Sequence, residues 1–175
     1  MGTPKALLEL EGETFAGRLT RVLGTVANPV LLVTGAHREL NTGGAIEIWN
    51  AGWAHGQLSS LQAGIRALPP EAPAFFFAPV DCPAFCEATV ESLWKVFQSQ
   101  TAGFVIPRMN DKRGHPVLAA RSMAAEFLDL PPDGQARDVV HRYRSQTLYV
   151  DVNDAGIFTD VDTRKAYEAL KAHGR

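Results

Sequence analysis

The stretch Ala74-Phe75-Phe76-Phe77-Ala78-Pro79-Val80-Asp81-Cys82-Pro83 decides the fold class of this 175-residue chain. From Ala74 to Val80 the residues are apolar without a break, so neither face of the predicted strand over 74–80 is left for water. A surface strand alternates apolar and polar residues. A run without alternation reads instead as a strand covered on both sides, which belongs in a mostly parallel sheet between helices. The run ends on a carboxylate, Asp81, and Cys82-Pro83 then turns the chain away. In open sheets of this kind, ligands bind beyond the carboxyl ends of the strands.

Working outward, apolar residues at helical spacing predict helices over 13–26, 59–68, 86–98, 123–128, 135–143 and 163–173. Pro69-Pro70 stops the second of these. Further strands are predicted over 29–34, 46–49, 103–107, 116–120 and 147–152. The alternation of strand and helix gives an α/β, Rossmann-like three-layer sandwich with a mostly parallel sheet. The length suits one domain spanning residues 1–175, and there is no internal repeat or low-complexity linker.

The composition is 46% hydrophobic and 21% charged, with a net charge of -2. That balance argues against a broadly basic nucleic-acid surface. The apolar runs are too short to cross a bilayer. The start of the sequence lacks a basic segment followed by an apolar one, so a cytoplasmic protein with no membrane and no nucleic-acid partner is expected. Cys82 and Cys86, beside Pro83 and with no further Cys or His close by, read as two reduced thiols rather than a zinc site.

The sequence opens Met1-Gly2-Thr3-Pro4-Lys5-Ala6-Leu7-Leu8, which reads as the end of a phosphate-cradling loop. Such a loop needs a strand before it to aim backbone N–H groups at phosphates. No such strand precedes Met1 here, so an unpaired slot in the sheet is expected. Asp81 is placed either to hold Mg²⁺, which takes one or two carboxylates with phosphate oxygens and waters, or to cap the next helix. Asp160-Val161-Asp162-Thr163 offers two more carboxylates. These are expected to diverge, so that at most one reaches a metal shared with Asp81, while the other or Thr163 caps the last helix. Asn50 to Ser60 is a Gly-punctuated loop entering a helix. In it, Gly56 permits close approach of a flat ring, and Ser59 and Ser60 suit a ribose or phosphate, unless Ser simply caps the helix. Arg113-Gly114-His115 joins two strands and suits an anionic substrate, although a lone His in a turn is commonly structural. Trp49 and Trp53 could line a pocket for a flat ring, with core packing expected for at least one of them.

The order of these motifs resembles one group. Met1-Gly2-x-Pro4-Lys5, then Asn50-x-x-Trp53-x-x-Gly56-x-x-Ser59-Ser60-Leu61-x-x-Gly64, then strand-Asp81-x-Pro83, then Arg113-Gly114-His115-Pro116-Val117-Leu118, then Asp160-x-Asp162-Thr163 is similar to the molybdenum cofactor cytidylyltransferases and guanylyltransferases. These MobA-like NTP transferases add CMP or GMP to molybdopterin. The Asn50 and Arg113 stretches lean towards the cytidylyl branch, and the resemblance runs from Met1 to the final helix.

The resemblance implies a nucleotide-diphospho-sugar transferase-like fold with its first strand missing. It implies CTP or GTP as donor, a molybdopterin-type phosphorylated acceptor, Mg²⁺, and a molybdoenzyme as a possible partner. It further implies that Lys5 faces the nucleotide phosphates together with Gly2 and Thr3. Asp81 is then the main Mg²⁺ ligand, and Asp162 the second carboxylate with Asp160 as the alternative. Asn50, Gly56, Ser59 and Ser60 lie on the nucleotide side, and Arg113, Gly114 and His115 on the acceptor side. The family loop reads Leu-Ala-Ala-Gly-x-Ser-x-Arg-Met-Gly-x-Pro-Lys, of which the residues before the Met are absent here. Asp162-Thr163-Arg164-Lys165 replaces the family's Asp-Thr-Pro-Glu. The implied reaction is attack by a terminal phosphate on the α-phosphorus of a nucleoside triphosphate, with loss of pyrophosphate. The alternatives are a non-catalytic nucleotide- or cofactor-binding protein of the same fold, and a GTP- or sugar-phosphate-using relative.

Overall fold

A computed structural model describes residues 4–38, 40, 43–131 and 133–173. The elements in chain order are β1 (Glu9–Leu10), β2 (Glu13–Thr14), α1 (Phe15–Gly24), β3 (Leu31–Thr34), β4 (Ile46–Trp49), α2 (Gln57–Arg66) and β5 (Ala74–Phe77). They continue with α3 (Glu87–Ser99), β6 (Phe104–Met109), β7 (Lys112–Arg113), β8 (Val117–Ala120), α4 (Ala124–Leu128), α5 (Ala136–Arg142), β9 (Thr147–Asp151) and α6 (Arg164–His173). The α/β class expected from the sequence is found.

The main sheet has the order β5-β8-β6-β7, with β9 also paired to β6. Strands β6 and β9 are parallel, and β8 runs antiparallel to both β5 and β6. Hence β5, β6 and β9 share one direction. Phe75, Phe104, Ile106, Val117 and Ala119 project to one face, where they pack with Ile65 of α2, Phe127 of α4 and Val139 of α5. Val105 and Leu118 project to the other face and pack with Leu93 of α3. This two-sided burial is what the unbroken apolar run at 74–80 predicts. The strand itself is shorter than that run. Its last pair is Phe77 with Val117, and the next residue opposite is Pro116, which has no N–H to continue the ladder.

Strands β3 and β4 form a separate parallel pair. Among the described residues β3 is not hydrogen-bonded to β5, so the β3–β4 pair stands apart from the main sheet. Helix α2 packs on both parts, and α1 covers the other face beside β5. On one face, Gly64 of α2 lies against Val33 while Ile65 packs with Phe75. On the other, Leu19 and Val22 of α1 pack with Phe76, Ala78 and Val80. The slot leaves Leu31, Leu32 and Val33 only half-buried.

The predicted helix over 13–26 begins two residues later because the chain first makes a hairpin. Glu11 and Gly12, at φ 54° and 82°, form its two-residue turn, and positive φ at both positions is the geometry that joins tightly paired strands. Thr14 then caps α1, accepting from the Gly17 N–H. No helix among the described residues is long and apolar enough to cross a membrane.

Candidate functional site

Lys5 lies in a single turn of 3-10 helix, and the hairpin and α1 follow it directly. Its ammonium donates to Asp81 Oδ2 at 2.8 Å and to Asp162 Oδ1 at 2.5 Å. It therefore joins the loop after β5 to the segment before α6. The backbone makes the same junction, since the Val161 N–H donates to the Asp81 carbonyl at 3.0 Å. Val161 is fully buried, with Leu10 and Phe15 in the same cluster. With Val161 facing inward, Asp160 and Asp162 both face outward.

The expected divergence of these two carboxylates is therefore corrected. Residues two apart in an extended segment lie on one face. Asp81, Asp160 and Asp162 each offer an oxygen, and the three oxygens lie within 4.8 Å of one another. None of the three serves as the helix cap considered from the sequence. Thr163 Oγ1 accepts from Ala166 N–H at the start of α6. The first residues of α3 are served by Asp154, whose Oδ2 accepts from the Cys86 N–H and the Thr89 hydroxyl.

The charges respond to this packing. Burial works against the Lys5 ammonium, but its hydrogen bonds to Asp162 and Asp81 outweigh that and raise its pKa to about 12. Partial burial, reinforced by Asp162 and Asp81, raises the pKa of Asp160 above its ordinary value. Cys82 is buried beside the cluster, and burial and the neighbouring carboxylates push its thiol to about 12. Both cysteines are free, as expected, with Cys82 buried and Cys86 exposed. An all-oxygen cluster at the carboxyl end of β5 fits a hard cation such as Mg²⁺.

The remaining predicted residues divide. Gly2 and Thr3 lie outside the described residues. Asn50 is buried, and its amide accepts from Gly52 N–H and donates to Ser59 Oγ and Ser60 Oγ. The Ser59 hydroxyl also lies within hydrogen-bonding distance of the Gly52 and Gly56 carbonyls. Asn50, Ser59 and Ser60 thus brace their own loop. Gly56, at φ 96°, takes the cap position before α2 and there is no side-chain cap, so capping by Ser is not observed.

Arg113 stacks over Tyr149 with its guanidinium carbon 5.0 Å from the ring centre. A Cβ at Gly114 would lie 2.2 Å from the Ile157 carbonyl oxygen, so this glycine is required by packing. The His115 N–H donates to that same carbonyl, and the His115 Nδ1 is buried without a partner among the described residues. Burial lowers the His115 pKa, partly opposed by the charge of Asp81. The expected core packing of a tryptophan in this loop is not found. Trp49 and Trp53 are 51% and 48% exposed. Arg38, which stacks on Trp49, and Asp154, which binds the start of α3, carry no local sequence pattern that marks them.

A family model described as "MobA-like NTP transferase domain" matches residues 1–147. The chain belongs to the MobA-like NTP transferase family. Among its relatives, molybdenum cofactor cytidylyltransferase of Escherichia coli is 24% identical over 169 residues, covering 93% of this chain and 84% of that protein. The crystal structure of Rv0371c from Mycobacterium tuberculosis superposes with a TM-score of 0.80 at 22% identity, over 98% of this chain and 91% of that one. The same protein in complex with manganese gives a TM-score of 0.78 at 22% identity, over 98% and 93% of the chains. The 2-C-methyl-D-erythritol 4-phosphate cytidylyltransferase of Thermus thermophilus gives 0.76 at 16% identity, over 99% and 95%. The fold is thus that of the MobA-like nucleotidyltransferases and of nucleotidyltransferases with other acceptors.

Proposed function

We propose that this MobA-like protein transfers CMP from CTP to the terminal phosphate of a molybdopterin-type acceptor, with Mg²⁺ held by Asp81 and Asp162. The observation that carries this reading is the meeting of Lys5, Asp81 and Asp162 at one point beyond β5. A cation paired with carboxylates is the arrangement from which a metal and a polyphosphate can be exchanged in. A divalent metal held by these carboxylates would supply neutralisation of phosphate charge. A manganese complex is described for Rv0371c, and a cytidylyl transfer activity for the relatives from Escherichia coli and Thermus thermophilus, which favours a divalent cation and CTP.

In the reaction, an acceptor phosphate oxygen forms a bond to the α-phosphorus. The bond from that phosphorus to the β-phosphate bridging oxygen breaks, and pyrophosphate leaves with the electron pair. This chemistry needs alignment and charge neutralisation rather than a protein nucleophile. Lys5 keeps its proton throughout at neutral pH and can move from the carboxylates to a phosphate oxygen. His115, which burial keeps neutral beside Asp81, is the residue that the family resemblance assigns to the acceptor side.

The test is calorimetric titration with Mg-CTP and Mg-GTP beside a metal-free control, followed by an assay for release of pyrophosphate with molybdopterin. Metal-dependent CTP binding and turnover support the reading. Asp81→Ala is expected to abolish turnover while the circular dichroism spectrum is kept, and near wild-type turnover in that variant at matched Mg²⁺ would sink the metal assignment. Metal-dependent binding without turnover would leave a nucleotide-binding protein of the same fold.

A further inference from the structure

Trp49 and Trp53 are large apolar side chains held half in water, and neither fills the core. Their positions are fixed by three separate restraints. Trp49 ends β4, in register with Thr34, and the Asn50 N–H then donates to the Thr34 carbonyl at 2.7 Å. Trp53 lies directly on the backbone of Gly35, where an added Cβ would come within 2.4 Å of the Trp53 Cβ and 2.7 Å of its Cγ. The buried Asn50 amide ties Gly52 to Ser59 and Ser60 on either side of the tryptophan turn. Both rings therefore sit on a braced loop at the carboxyl ends of β3 and β4, the edge where ligands bind in sheets of this kind. One flat group already uses this surface, since the Arg38 guanidinium carbon lies 4.6 Å from the centre of the Trp49 ring.

Leaving two indoles exposed on a rigid loop forgoes hydrophobic free energy that burial would supply. Rigid exposed aromatics bind flat rings with little ordering cost, and they do so by stacking, which tolerates any base. Beside them, nothing lies within 4 Å of a Cβ placed on Gly56, so the loop is open on that side. We propose that Trp53, with Trp49 and Arg38, forms a stacking platform for a planar heteroaromatic ring carried by a phosphorylated ligand. The ring has two sources, the base of the nucleotide or the fused ring of the acceptor. This assignment rests on the nucleotidyl-transfer reading for its ligands but on different residues from the carboxylate cluster.

The experiment is calorimetric titration of the whole chain, in Mg²⁺, with CTP, GTP, pterin-6-carboxylate and inorganic tripolyphosphate, comparing wild type with Trp53→Leu, Trp53→Phe and Trp49→Leu. The expected result is a loss of roughly tenfold or more in affinity for a ring-bearing ligand in Trp53→Leu. Trp53→Phe should recover most of it, and tripolyphosphate binding should stay unchanged. A loss confined to CTP and GTP assigns the platform to the base, and a loss confined to the pterin assigns it to the acceptor. Equal affinities in wild type, Trp53→Leu and Trp49→Leu would overturn the proposal. So would a parallel loss for tripolyphosphate, which has no ring, or failure of every ring-bearing ligand to bind the wild type. If the wild type binds the pterin but neither nucleotide nor tripolyphosphate, the transferase reading fails while the platform stands.

Discussion

Lys5 carries two roles that pull apart on mutation. It neutralises Asp81 and Asp162 in the free protein, and in the proposed reaction its ammonium faces the nucleotide phosphates. Replacing it by Met removes the cation that competes with a metal for these oxygens. Lys5→Met is therefore expected to bind Mg²⁺ roughly tenfold more tightly in the absence of nucleotide, as electrostatic competition of about one pKa unit implies. Its transfer rate should fall by about 100-fold or more, the usual loss when one charge-stabilising donor is removed. Unchanged metal affinity by calorimetry would mean that Lys5 does not occupy the metal position.

At the same scale, His115 links stability to pH. Its folded pKa lies below the ordinary value of 6.5 because burial disfavours the charged ring. Between the folded and the unfolded pKa, the unfolded chain therefore binds more protons, and stability rises with pH. The contribution is complete above pH 6.5 and is lost as pH falls through the folded value. Denaturant titrations of wild type and His115→Gln across pH 5 to 8 should differ in slope below about 6.5 and run parallel above it.

At the scale of elements, loops far from the cluster hold its parts together. Asp154 receives the Cys86 N–H, the Thr89 hydroxyl and the Gly156 N–H, tying the turn after β9 to the start of α3. Removing its carboxylate leaves those donors without their partner, at a cost of about 1–3 kcal/mol. Asp154→Ala should lower the melting temperature by several degrees in a thermal scan, and a melting curve superimposable on wild type would refute this capping role. Elements with strong periodicity, such as α3 and β6, were legible in the sequence to within two residues. The β1–β2 hairpin was not, because two-residue strands carry no periodicity and only Gly12 marks the turn. Thr163 was legible as a cap because capping is local, whereas the capping of α3 by Asp154 spans 65 residues and leaves no local pattern.

At the scale of the whole molecule, β3 and β4 pair with each other and not with the main sheet. The Ile46 N–H donates to the Val30 carbonyl and the Asn50 N–H to that of Thr34. In a parallel ladder this turns the backbone groups of Leu32 and Thr34 towards β4 and those of Leu31 and Val33 towards the slot. Amide hydrogen exchange should therefore be at least about tenfold faster at Leu31 and Val33 than at Leu32 and Thr34, reflecting the lower protection of unpaired amides. Equal protection at all four would mean that the slot is closed in solution.

The sequence by itself determined the layered α/β architecture, the strand that delivers Asp81 and the order of the motifs, because periodicity and turn chemistry are written between near neighbours. The tertiary structure decided that Asp160 joins Asp81 and Asp162, that Lys5 bridges Asp81 and Asp162, and that two tryptophans face water. Lys5 meets its partners across 76 and 157 residues, and such contacts depend on how every intervening layer packs.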